Sequence, residues 1–235
     1  TPTIHNVIVL WDGASWVPVE FAEYTLALGT LTASKNYDVF AYLSAGSLAL
    51  EVLVWTDDST RATAVTLQDG RYCKSGDKTR LLLGTFYTSS TTTTEDTENN
   101  RYVGNVYNRV RRIVTASCTS SHTYTTATLR EWNSGTGVTR GNFLTSIGPA
   151  VVDLSLMAVL AKTSGVVNYV WASVDTVSAY MDMGGSSLYS ATNIQFNAGH
   201  AQPISSVGKH YVTCTQQGSS GVTYTSATCR AETEM

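Results

Sequence analysis

The stretch Arg80–Arg112 reads RLLLGTFYTSSTTTTEDTENNRYVGNVYNRVRR and combines two different patterns. Its first part, Leu81–Tyr87, is a short apolar run with two aromatic residues, which is typical of a buried strand. Its second part favours a helix near 98–107, because Thr97 can cap a helix and four large side chains then recur at helical spacing. Those side chains are Tyr102, Val103, Val106 and Tyr107. The stretch contains no nucleophile paired with a base and no metal-ligand spacing.

Most of the remaining chain shows the patterns of short antiparallel strands. Asp12-Gly13 and Asp69-Gly70 supply the positive φ that tight hairpin turns need. Apolar and polar residues alternate over Tyr24–Leu31, and the valines of Val151–Leu160 favour a strand over a helix. Strands of about five to eight residues with turns every eight to twelve are typical of a sandwich. We therefore predict an all-β fold, an antiparallel and jelly-roll-like β-sandwich with one short helix near 98–107.

Two similar segments indicate how the chain is divided. Segments 117–130 and 213–230 both contain Cys-Thr followed by a Thr-Tyr-Thr run and an arginine. Each is interpreted as strand, polar turn and strand, so they predict equivalent hairpins, although a shared Thr-rich composition would also make them alike. We expect an N-terminal β domain over 1–115. Residues 116–235 form either a C-terminal β domain or the second half of the same sandwich.

The composition limits the classes of partner. Hydrophobic residues make up 43% of the 235 residues, as in a globular protein. Charged residues make up only 14%, against about 25% in an average soluble chain, which suggests that partners cover much of the surface. The net charge of -3 argues against nucleic acid, and no apolar run is long enough for membrane insertion. The segment after Thr1 lacks the features of a signal peptide, so none is expected.

Four residues are candidates for contact with a glycan or a protein partner. Trp132 and Asn133 leave a strand into a Gly/Ser-rich loop, where an exposed ring can cover a sugar while the amide binds its hydroxyl groups. Tyr180 and Tyr189 flank Gly184 and form a second candidate. The alternative is that these rings pack against a neighbouring subunit. Three other tryptophans, Trp11, Trp16 and Trp55, are expected in the core.

Several short motifs carry a resemblance to a known family. The motifs in Arg80–Arg112 are Gly-Thr-Phe at 84–86, Thr-Glu-Asp-Thr at 94–97 and RYVGNVYNRV at 101–110. The upstream motifs are Leu-Trp-Asp-Gly at 10–13, Phe-Ala-Glu at 21–23, Tyr-Asp-Val-Phe at 37–40 and Thr-Leu-Gln-Asp-Gly at 66–70. Together they resemble tail-fibre and head-fibre proteins of tailed bacteriophages. The resemblance covers roughly the first half of the chain.

The resemblance implies a virion structural protein and no enzyme. The expected role is a fibre, spike or appendage subunit on the head or tail, assembled in the host cytoplasm and involved in host attachment. The expected partners are further copies in a homotrimer, other capsid or tail proteins and a host-surface glycan. No cofactor is expected. The alternatives are a capsid decoration protein that stabilises the head and an extracellular carbohydrate-binding module.

The cysteines and histidines indicate no metal site. Cys73, Cys118, Cys214 and Cys229 match no zinc pattern, and no two histidines are spaced as ligands. Cys214 and Cys229 lie symmetrically about a glycine-rich turn, which would place them opposite each other across a hairpin. Because a phage protein folds in a reducing cytoplasm, we expect both to be small buried thiols, with a disulfide as the alternative.

Overall fold

The structure, a computed structural model, describes residues 6–134, 139–162, 168–177, 184–187, 194–218 and 222–235. Its strands in chain order are β1 (Val7–Trp11), β2 (Trp16–Glu20), β3 (Asn36–Ser44), β4 (Ser47–Val54), β5 (Val65–Gln68), β6 (Arg71–Lys74), β7 (Asp77–Tyr87), β8 (Asn100–Arg101), β9 (Val103–Asn105), β10 (Arg111–Cys118), β11 (His122–Thr123), β12 (Arg130–Glu131), β13 (Arg140–Thr145), β14 (Ala150–Lys162), β15 (Asn168–Val174), β16 (Gly184–Ser187), β17 (Ile194–Ile204), β18 (Gly208–Gln217) and β19 (Val222–Glu234). Within these ranges the only helical element is a 3-10 turn at Trp132–Ser134. The predicted all-β fold with antiparallel sheets is confirmed. The described part of the chain holds no helix with the length and apolarity needed to cross a membrane.

The N-terminal half forms a hairpin and one sheet. Strands β1 and β2 pair with each other, and the sheet has the order β4-β3-β7-β6-β5 with β9 also on β7. The β3–β4 turn has φ values of 49° at Ala45 and 81° at Gly46, and the β5–β6 turn has 51° at Asp69 and 77° at Gly70. Two successive positive φ values define the type I′ turn that favours a tight hairpin. The turn predicted from Asp69-Gly70 is therefore confirmed.

The C-terminal half forms a sandwich of two sheets. One sheet has the order β10-β19-β14-β17 with β11 on β19, and the other has the order β16-β15-β18-β13-β8 with β12 on β18. Alternate residues of β14 point into the space between the sheets, which confirms the strand predicted at Val151–Leu160. They are Val152, Leu154, Leu156, Ala158 and Leu160, and all are buried. They belong to one large cluster that also contains Phe143, Val170 and Val212 from the facing sheet.

The predicted helix at 98–107 is wrong, because this segment forms β8 and β9. Burial alternates with a period of two: Tyr102, Gly104 and Val106 are buried, while the residues between them are exposed. Tyr102 and Val106 therefore lie on the buried face of the strand. Val103 and Tyr107 lie on the exposed face, although the spacing of the four side chains is helical. Gly104 fixes the strand, since a Cβ there would meet Ser146 Oγ, and a Cβ on Gly84 of β7 would meet the Gly104 carbonyl.

The predicted hairpins at 117–130 and 213–230 are also wrong. In each segment the chain leaves one sheet of the sandwich and enters the other, so its two arms do not pair with each other. The segments instead lie side by side, with Cys118 opposite Ala227, His122 opposite Tyr224 and Arg130 opposite Gln216. β10 (Arg111–Cys118) belongs to the sandwich.

The prediction of two buried thiols at Cys214 and Cys229 is wrong, and the alternative of a disulfide is confirmed. Cys214 on β18 and Cys229 on β19 form a disulfide with a Cα–Cα distance of 5.7 Å. It joins the two facing sheets and does not cross a hairpin, because β18 and β19 belong to different sheets. The strand expected at Tyr24–Leu31 is likewise absent, since these described residues have no regular structure.

Arg61, held by an ion pair within the N-terminal half, makes a hydrogen bond to the sandwich. The Arg61 guanidinium donates to both oxygens of Asp38, at 2.7 and 3.2 Å, and also to the Ser146 carbonyl beyond β13. Both side chains are largely covered, with 12% of Arg61 and 2% of Asp38 exposed. The Lys209 N–H donates to the Asp58 carbonyl at 2.9 Å, a second link across the same boundary.

Candidate functional site

Two tryptophans lie together at the free end of the N-terminal sheet. Trp11 ends β1 and Trp16 begins β2, and the turn between them brings the rings to 5.5 Å in an edge-to-face arrangement. Asp12 stabilises this turn, because its Oδ1 accepts hydrogen bonds from the N–H groups of Ala14 and Ser15. These backbone hydrogen bonds, first the one from Ser15, lower the pKa of the Asp12 carboxyl. The turn therefore holds both rings at one end of the molecule.

Charged side chains from the neighbouring turns surround the two rings. The Arg71 guanidinium lies 4.6 Å from the Trp16 ring, and Lys78 Nζ lies 4.9 Å from the Trp11 ring. Asp69 Oδ2 accepts hydrogen bonds from Lys78 Nζ at 2.6 Å and from Trp16 Nε1 at 3.1 Å. The hydrogen bond from Lys78, and then that from Trp16, lowers the pKa of Asp69. We call these five residues, Trp11, Trp16, Asp69, Arg71 and Lys78, the tryptophan tip.

The tryptophan tip combines features of a contact site. Trp11 and Trp16 are partly exposed, and Asp69 is exposed beside them. Aromatic rings next to hydrogen-bonding charges are suited to a sugar ring or a protein loop, because one group covers apolar area and the other binds polar atoms. Lys78 is near the start of β7, and Phe86 is near the end that meets the sandwich. At about 3.3 Å per strand residue, the tip lies about 25 Å from that boundary.

A cleft at the boundary contains a hydroxyl, an imidazole and a carboxylate in series. His210 Nε2 lies 2.9 Å from Thr145 Oγ1, and His210 Nδ1 lies 2.6 Å from Asp175 Oδ2. This is the connectivity of sites that activate a hydroxyl nucleophile. Thr145 is only 1% exposed, however, and its hydroxyl is also within 3.4 Å of the Gly208 carbonyl. A substrate has no approach to that oxygen, so the series acts to join β13, β15 and β18.

The candidates from the sequence lie elsewhere, and the first of them is not exposed. Trp132 is fully buried, with its ring 5.3 Å from Tyr224 and 5.4 Å from His122. Its face therefore cannot serve as an exposed platform for a sugar. Asn133 is exposed beside it, in a turn with φ of 55°. Tyr180 and Tyr189 lie outside the described residues. Among the residues that are described, no group of three or more acidic, cysteine or histidine side chains is arranged to hold a metal ion.

The sequence interpretation missed the tryptophan tip because it placed Trp11, Trp16 and Trp55 in the core. Only Trp55 lies there, with 2% of its area exposed. The sequence did contain a signal for this site. Trp11 and Trp16 stand on either side of an Asp-Gly turn, and residues that flank such a turn lie at the end of a hairpin.

Comparisons with known proteins give no family. No family model and no curated protein matches the chain. Among solved structures, the chain is similar to dimeric latent PorU from Porphyromonas gingivalis, with a TM-score of 0.35 and 10% identity over 87% of this chain and 24% of that one. It is also similar to infectious bursal disease virus Gt strain, with a TM-score of 0.30 and 8% identity over 86% and 54% of the two chains. The chain thus spans less than two thirds of either protein. Both TM-scores are under 0.5.

Proposed function

We propose that this chain is a structural protein of a bacteriophage particle, a fibre, spike or appendage subunit that acts by binding. The observation that supports this best is the tryptophan tip at the free end of a sheet whose other end is joined to a sandwich. A closed sandwich gives an anchored base, and the sheet carries the contact residues about 25 Å away from it.

The motifs that resemble phage fibre proteins support the same proposal. The Leu-Trp-Asp-Gly motif at 10–13 forms the β1–β2 turn, and the Thr-Leu-Gln-Asp-Gly motif at 66–70 forms the β5–β6 turn. These two motifs are distant in sequence, yet they supply Trp11 and Asp69 to one site. The resemblance and the tip therefore concern the same residues.

The proposed mechanism at the tip is contact with the host surface. The two rings would cover the apolar face of a sugar, and Asp69 and Lys78 would bind its hydroxyl groups. A capsid decoration protein is the second candidate, and in that case the same tip would face the shell. The two candidates differ in whether the tip is accessible on an assembled particle.

Purified particles test the proposal. An antibody raised against the chain should label intact particles in electron micrographs, and the labelled structure shows whether the protein is on the head or the tail. Particles that lack the protein would contradict the proposal.

A matched pair of variants tests the tip. Trp11→Ala should reduce attachment of the particles to host cells by about tenfold or more, because it removes one ring of the pair. Val7→Ala changes an exposed residue of the same strand and should attach normally. Equal attachment by both variants, with both incorporated into particles, would show that the tip does not contact the host.

A further inference from the structure

The outer edge of β4 is unprotected. β4 is the last strand of the N-terminal sheet and pairs with β3 on one side, and the described residues supply no main-chain partner on the other. Its sequence SLALEVLV contains neither proline nor glycine, and Glu51 is its only charged residue. A long apolar edge of this kind is a template for pairing with another strand.

Three other described edges, those of β5, β10 and β17, carry features that discourage pairing. β10 begins with Arg111 and Arg112, β17 contains Pro203, and β5 has only four residues. Charge, proline and short length are the usual protections of a sheet edge. β4 has eight residues and none of these protections apart from Glu51, which is paired with Arg80 at 2.8 Å.

Side chains on both faces of β4 are incompletely covered. Leu48 and Leu50 pack beside the β1–β2 hairpin, and Leu53 packs on the opposite face near Phe40. All three leucines are only partly buried, and Val54 is 42% exposed. A strand added along β4 would cover apolar area on both faces of the sheet.

The β3–β4 turn fixes which main-chain groups of β4 are free. Ser44 and Ser47 are the partners that close a two-residue hairpin turn, so they form a hydrogen-bonded pair. Because hydrogen-bonding direction alternates along a strand, the N–H and C=O groups of every second residue then point away from β3. These residues are Leu48, Leu50, Val52 and Val54.

We propose that β4 pairs in antiparallel fashion with β4 of a second copy of this chain, about a two-fold axis through Leu50. In this register Leu50 faces Leu50 of the second copy. Leu48 of each copy faces Val52 of the other. All three positions carry free main-chain groups, so each pair exchanges two hydrogen bonds.

Charge disfavours the neighbouring register whose axis passes through Glu51. An axis at Leu50 places Glu51 opposite Ala49 of the second copy. An axis at Glu51 would place two carboxylates opposite each other, which destabilises a strand pair. The same strand thus supplies both halves of the contact, as an isologous interface requires.

This contact is separate from the proposed role of the tryptophan tip, and it does not depend on a place in a virion. It also differs from the homotrimer expected from the resemblance, because a two-fold axis joins two copies. The sheets of the two copies would become one continuous sheet.

Sedimentation of matched proline variants tests the pairing. The wild-type chain should sediment as a dimer at micromolar concentration. Val52→Pro removes a donor that points away from β3 and should weaken the dimer by about tenfold or more. Leu67→Pro is the control, because Leu67 is 61% exposed on β5, at the opposite edge of the same sheet, and its N–H also points outward. A monomeric wild type, or equal weakening by both variants, would overturn the proposal.

Cysteine cross-linking tests the register without relying on the proline variants. Leu50→Cys should form a disulfide-linked dimer on mild oxidation, because directly opposite Cα atoms in a hydrogen-bonded pair are about 5.5 Å apart. Val52→Cys should not, since its two copies would be offset by about 13 Å along the strands. Cys73 and Cys118 are buried, so they do not compete. Cross-linking that is no better for Leu50→Cys than for Val52→Cys would overturn the proposed axis.

Discussion

The N-terminal sheet and the C-terminal sandwich bury their apolar residues in different ways. In the sandwich, one cluster draws on both facing sheets, and a disulfide joins them through the middle. The N-terminal sheet has a separate small cluster on each face, one around Leu10 and Leu81 under the β1–β2 hairpin and one around Phe40 and Leu82. Many of the residues that complete these two clusters are only partly buried.

This difference indicates how stability and contact are distributed. A closed core with complete side-chain packing is the region that opens last, whereas a sheet covered by a hairpin and loops opens locally at lower free energy. The N-terminal sheet also carries the tryptophan tip and the free β4 edge. The sandwich is therefore expected to open last, and the sheet carries both surfaces for which we propose contacts.

Removing the charge of Asp38 should cause the largest loss of stability, and the loss should be in the N-terminal sheet. Asp38→Ala leaves the Arg61 guanidinium largely buried without its carboxylate, since Arg61 otherwise donates to Asp38 at 2.7 Å. Loss of one partner of a buried pair destabilises by about 3 to 5 kcal/mol. Urea unfolding monitored by tryptophan fluorescence should show this loss in the free energy of unfolding.

A double variant separates the lost pair from the lost packing. Asp38→Ala combined with Arg61→Met removes both charges and should recover part of the stability, because no buried charge is left unpaired. Equal losses in the single and double variants would show that the unpaired Arg61 charge contributes little to the loss.

Removing the disulfide should affect the sandwich by a slightly smaller amount. Replacing Cys214 and Cys229 together by alanine opens a cross-link between residues separated by 15 positions. A loop of that length corresponds to about 3 kcal/mol of unfolding free energy. The loss should match that of the wild type measured under reducing conditions, and a variant as stable as the oxidised wild type would show that packing alone holds the sheets together.

Two tyrosines test the strand at 103–105 against a helix. Tyr102 is 7% exposed, with its ring 4.7 Å from Tyr87, whereas Tyr107 is 51% exposed. Tyr102→Ala should lower the free energy of unfolding by about 2 to 3 kcal/mol, and Tyr107→Ala by less than about 1 kcal/mol. Thermal unfolding of both variants gives the comparison. Similar losses would favour a helix that buries both rings.

The sequence predicts where strands and turns occur better than it predicts which strands pair with one another. The Asp69-Gly70 turn and the β14 strand are evident, because turn chemistry and alternation are local properties. The segment 102–107 was misassigned because its four large side chains have helical spacing, although two of them are exposed in the strand. The close approach of Gly104 to the distant Ser146 has no local signal in the sequence. The crossing of 213–230 between sheets and the pairing of Cys214 with Cys229 depend on distant strands, which local patterns do not specify.

The candidate site was harder to predict, for the same physical reason. An aromatic residue beside a polar loop has the same local pattern whether its ring faces solvent or the core. Trp132 is covered by Tyr224 from β19, and Trp16 is left partly open beside Asp69 from the β5–β6 turn. Both outcomes depend on residues more than fifty positions away, since Trp16 and Asp69 are 53 positions apart.

The smallest effect concerns the two free thiols, one in each region. Burial raises the pKa of Cys118 to about 12, and it also raises the pKa of Cys73. Only the thiolate reacts with iodoacetamide, so neither cysteine should be labelled at pH 8 while it remains buried. The sheet opens at lower free energy than the sandwich, so Cys73 should be labelled before Cys118 when the two rates are followed by mass spectrometry. Labelling of Cys118 ahead of Cys73 would reverse the order of stability assigned to the two regions.

The buried Cys118 thiol also predicts how stability depends on pH. In the unfolded chain this thiol ionises above its ordinary pKa of 9.0, whereas in the folded protein it stays neutral up to about pH 12. The free energy of unfolding should therefore fall as the pH rises from 9 toward 12.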